Sequence, residues 1–87
     1  MNEISHTQYF QAQKATEVQV KEIIKDVYQS LAEKGYNPVS QIVGYVMSGD
    51  PTYITSYNGA RSLIMKVERD EIIEEILGDY IERNLKH

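Results

Sequence analysis

The chain has 87 residues, no cysteine, two histidines and a formal net charge of −4, which describes one small domain with a thin core. Disulfides, thiolate zinc sites and thiol chemistry are excluded. A histidine metal site is disfavoured because His6 and His87 sit near opposite ends, and the acidic balance argues against a nucleic-acid reader, which needs a basic face. No apolar run approaches the roughly 20 residues that span a bilayer. The start MNEISHTQYFQAQ lacks the basic-then-apolar layout of a secretory signal, so the expected location is cytoplasmic.

Residues 1–15 carry no apolar period and are expected to form a flexible tail ahead of a single helical domain over 16–87. Thr16 and Gln19 have capping-box spacing. Val20, Ile23, Ile24, Val27 and Leu31 then repeat as one helical stripe, and Gly35 supplies a left-handed stop. Asn37-Pro38 pairs an N-cap residue with a proline at the first helical position, where no N–H is needed. Val39, Ile42, Val43 and Val46 form the next stripe.

The stretch MSGDPTYITSYNGAR, residues 47–61, repeats the same punctuation: Gly49 ends a helix, and Asp50-Pro51 starts another turn. Tyr53, Ile54 and Tyr57 give that turn an apolar side. Asn58 is expected to cap a helix with Ala60, Leu63, Ile64 and Val67 on its face. Asp70 is expected to cap a last helix, or that helix runs through it with a bend. Its stripe is Ile73, Ile76, Leu77, Tyr80 and Ile81, and Gly78 costs it about 1 kcal/mol relative to Ala. No segment alternates with period two, so the pattern predicts an all-α domain of four to five helices.

Candidate chemistry is sparse. SGDP lacks the longer glycine pattern and Lys-Ser/Thr of a phosphate loop, and Asp50 would repel a phosphate. A helix-turn-helix reader over residues 39–67, using Thr52, Tyr53 and Arg61, is the alternative functional reading, but Pro51 and the break at Asn58-Gly59 interrupt its recognition helix. The acidic run ERDEIIEE reads as a solvated face, since no histidine accompanies it as a di-iron site would require. No histidine is placed to activate a serine, so no enzyme and no cofactor are expected. The seven tyrosines suit either a thin core or an interface. Tyr45, Tyr53, Tyr57 and Arg61 are the interface candidates, and a homodimer is the expected support for so small a core.

The segments EKGYNP, QIVGYV, SGDP and ERDEI, within residues 26–77, resemble the IreB family of small regulatory phosphoproteins of Gram-positive bacteria. The resemblance implies a helical homodimer without enzymatic activity. It also implies a substrate of a membrane Ser/Thr kinase and its partner phosphatase, linked to cell-envelope stress and cephalosporin resistance. The family's acceptor threonine lies in a tail motif close to Thr-x-Arg-Phe. Here the stretch is TQYF, so Thr7 and Phe10 match, Tyr9 stands where arginine is usual, and Ile4 stands at the site of a second, upstream threonine. The resemblance therefore makes Thr7 the phosphorylation candidate, acting on a downstream protein that the sequence does not name.

Overall fold

A computed structural model describes residues 17–86 of the chain. The Thr16 cap, the 1–15 tail, Thr7 and His87 lie outside the described residues. The described part is all-α. Four helices, α1 (Glu17–Glu33), α2 (Pro38–Ser48), α3 (Ala60–Ile64) and α4 (Arg69–Asn84), are joined by tight turns. Two 3-10 turns, Pro51–Tyr53 and Tyr57–Gly59, fill the connection from α2 to α3.

Helix α1 is the hub. It packs most closely on α3 and more lightly on α4 and α2. Its Val27 and Leu31 are fully buried and Val20 nearly so, four and seven residues apart on one face. Facing them are Ala60 and Ile64, an i,i+4 pair on α3 that is also fully buried, with Ile54, Val67 and Ile72 closing the cluster. This core is small, and five of its nine buried residues belong to α1 and α3.

Each helix ends for a local reason. At the close of α1, Gly35 (φ 85°) donates its N–H to Ala32, and the Tyr36 N–H reaches Leu31. These paired reverse bonds satisfy carbonyls that the helix leaves open. Asn37 caps α2 by accepting from the Ser40 N–H at 3.0 Å, with Pro38 in the first turn. Gly49 (φ 77°) closes α2 through its N–H to the Tyr45 carbonyl.

Two expected starts are corrected. Asn58 does not cap α3. It sits at φ 54° within the second 3-10 turn, followed by Gly59 at φ 71°, and Gly59 is the residue that precedes α3. Two successive left-handed residues reverse the chain there, a conformation that Asn and Gly tolerate best. Asp70 does not cap α4 either. Glu68 does so in a reciprocal capping box with Glu71, whose carboxylate accepts from the Glu68 N–H at 2.8 Å. Helix α3 ends at Ile64, so Val67 is buried from a turn and not from the helix.

Candidate functional site

The 47–61 connection is stitched down at both ends. Asp50 Oδ1 accepts from the Thr52 N–H at 3.0 Å and from the Thr52 hydroxyl at 2.7 Å. The hydroxyl bond, and then the backbone bond, hold the Asp50 carboxyl below its ordinary pKa. The Gln41 amide donates to the Tyr53 carbonyl at 2.8 Å. The Tyr53 ring lies so close over Gly44 that a Cβ there would fall 2.4 Å from a ring carbon. Arg61 Nε donates to the Ile54 carbonyl at 2.8 Å. Arg69 reaches from the start of α4 to the Val46 carbonyl at 3.0 Å, placing a cation at the C-terminal end of α2.

These contacts sort the interface candidates. Tyr45 is 6% exposed and belongs to the core. Tyr53 and Tyr57 are partly exposed at the edge of the connection. The Tyr57 hydroxyl bonds to the Glu33 carboxylate, which raises its pKa, while the Lys34 amine sits 5.1 Å above its ring. Arg61 is partly buried and tied to backbone. The helix-turn-helix reading finds no recognition helix in the described residues: 39–67 holds α2, two 3-10 turns and the five-residue α3.

A broad apolar surface lies elsewhere. The apolar stripe expected on α4 does not face the core. Ile72 is the fully buried residue of that helix, whereas Ile73, Ile76, Leu77 and Tyr80 are about half exposed. Along α2, Val43 is likewise half exposed, and Val39 and Met47 are 72% and 78% exposed. Both helices thus present apolar side chains outward, on neighbouring surfaces.

Two clefts open there. One, of 440 Å³, lies between α2 and α4 and includes Val46, Met47, Ile73, Leu77 and Tyr80 in its lining. The other, of 580 Å³, is bounded by α1, α2 and α4, with Ile24, Tyr28, Pro38 and Val39 among its apolar members. They meet at Ile42, Val43 and Ile76.

The two clefts differ in charge. No charged residue lines the first, whereas Lys21, Lys25, Glu75, Asp79 and Arg83 line the second. Lys21 pairs with Glu75, a hydrogen bond that raises the lysine pKa. Arg83 Nε donates to Asp79 at 3.0 Å. Lys25 forms no ion pair among the described residues. Among the described residues no cluster of three or more His, Cys, Asp or Glu side chains forms a metal site, and no helix is long and apolar enough to cross a membrane. The arrangement suits contact with another polypeptide.

A family model of IreB regulatory phosphoproteins matches residues 5–82. The chain belongs to that family. A UPF0297 protein from Lachnoclostridium phytofermentans is 65% identical over 86 residues, covering 99% of this chain and 98% of that relative. Membership of the IreB family makes this a regulatory phosphoprotein, which implies a kinase and a non-enzymatic role. The sequence pattern found the helices that build both clefts. It missed the capping role of Arg69, the seat of Tyr53 on Gly44 and the burial of Ile72. Only the last had a signal: Ile72 lies four residues before Ile76 on the same helix.

Proposed function

We propose that the protein is a non-enzymatic regulator that acts by binding other polypeptides through the α2–α4 face, under control of phosphorylation at Thr7. The observation that carries this reading is the outward apolar surface of Val43, Met47, Ile73, Leu77 and Tyr80, about half exposed or more on a domain whose own core is small. Contiguous apolar surface of this kind is characteristic of protein contact sites. A second copy is the occupant we assign to the uncharged cleft, forming a homodimer. Thr7 precedes α1 by ten positions, far in sequence from every core residue, so a phosphate there changes contacts and leaves the fold intact. The setting follows the family resemblance: a membrane Ser/Thr kinase writes the mark, its phosphatase removes it, and a downstream protein reads it during cell-envelope stress.

Treatment with the cognate kinase, followed by mapping of the modified residue, tests the regulatory half. Phosphate on Thr7 with unchanged helicity is expected. Label confined to residues 16–87 would overturn it. Sedimentation tests the contact half, with a dimer expected at tens of micromolar, on the order of modest dimer affinities.

A further inference from the structure

We propose that the stretch Ile4–Phe10 of this same chain docks in the charged-rimmed cleft beside α1, and that a phosphate on Thr7 fastens it there. The second half rests on the reading of Thr7 as the acceptor.

Position comes first. Helix α1 begins at Glu17, and Lys21, Ile24, Lys25 and Tyr28 follow along one face of that helix as lining of the cleft. A segment N-terminal to Glu17 would reach this cleft by turning back along α1. From Glu17 to Tyr28 is about 16 Å of helix axis. Ile4–Phe10, drawn out, spans about 23 Å. The six residues between, QAQKAT, exceed the four that a reversal needs.

Side-chain alternation then sorts the segment. In an extended chain successive side chains point to opposite sides. Ile4 and Phe10 are an even number apart and share one side, while Ser5, Thr7 and Tyr9 share the other. Seating Ile4 and Phe10 against Ile24, Tyr28, Val39 and Ile42 turns Thr7 outward, to the rim. There Lys25 is without an ion pair among the described residues, and Lys21 lies one turn away on the same helix face. The two rim carboxylates, Glu75 and Asp79, are already paired with Lys21 and Arg83. An unmodified Thr7 gains little there. A phosphate brings about −1.5 to −2 charge and can engage Lys25 and Lys21 together.

The neighbouring cleft, with no charged lining, suits a second copy. The charged rim distinguishes the α1 cleft and suits an occupant whose charge is switched.

The cysteine-free chain allows a clean test. A nitroxide is attached to Ser5→Cys in the full chain, with either threonine or chemically installed phosphothreonine at position 7, and methyl NMR signals are read. With phosphothreonine, Ile24 and Val39 should lose more than half their intensity, while Ala60 and Ile64, on α3, keep theirs. The loss should shrink in Lys25→Glu and in Ile4→Ser. Even attenuation across all methyls, or attenuation that ignores Lys25→Glu, overturns the proposal. So does broadening that appears only on label-free chains in a mixture, since the second copy would then supply the segment. Because the phosphate is installed chemically, a kinase that leaves Thr7 unmodified overturns the acceptor reading alone.

Discussion

The α1–α3 side and the α2–α4 side are built from similar apolar stripes and meet opposite fates. On the first, Val27 and Leu31 find Ala60 and Ile64 across a short distance, and all four lose their solvent contact. On the second, Val43 and Met47 of α2 and Ile73, Ile76 and Leu77 of α4 line shared clefts, yet stay about half exposed or more. One side has completed its burial within the chain. The other holds apolar area in reserve, which is what a small domain that gains support from a partner would carry.

Truncating the completed side should have the largest effect. Leu31→Ala removes a fully buried side chain and should cost about 2–5 kcal/mol, a large share of the stability of so small a domain. Urea denaturation measures it, and a loss below 1 kcal/mol, on the order of a half-exposed site's, would erase the distinction between the sides.

Next is the joint between them. Gly49→Val places a β-branched residue at φ 77° and sets its Cβ 3.0 Å from the Arg69 guanidinium. The backbone strain alone is about 1–2 kcal/mol, and Arg69 must also shift from the Val46 carbonyl. An unchanged melting temperature would show that the α2 terminus is not held by this geometry.

The reserved side should respond in the reverse way. Leu77 is 53% exposed, so Leu77→Ser should change the stability of a single folded chain by no more than about 0.5 kcal/mol. It should nonetheless abolish self-association, seen as a monomer in sedimentation and a midpoint that no longer rises with protein concentration. A wild-type dimer that survives Leu77→Ser would move the interface off this face.

The smallest effect concerns acid. Hydrogen bonds from Thr52 hold the Asp50 carboxyl below its ordinary value, so folding favours its ionised form. The resulting stabilisation is fully present above the ordinary carboxylate range and is lost as pH falls through the lower, folded value, in a window below about pH 4. Asp50→Ser keeps a cap oxygen without the charge and should flatten this contribution in a pH series of melting curves.

The helices and their stops were legible because they depend on neighbours within a few residues. Asn37-Pro38, Gly35 and Gly49 act through local dihedrals and caps, and 3.6-residue spacing marks each apolar face regardless of what covers it. Asp70 was misplaced because several adjacent residues can cap, and only the bonds around Glu68 and Glu71 select one; Asn58 was misplaced because its left-handed φ places it inside a 3-10 turn. The family, too, was legible, in EKGYNP, QIVGYV, SGDP and ERDEI.

What the tertiary structure alone decided is which apolar residues meet each other. Periodicity gives α4 a stripe but not its direction, and Ile76 and Leu77 stay about half exposed although α1 and α2 both pack on that helix. The ion pair of Lys21 with Glu75, 54 positions apart, and the reach of Arg69 to Val46 depend on where whole helices come to rest. Local sequence sets dihedrals and faces; the choice among faces is a competition for burial over the whole chain, and no short stretch carries its outcome.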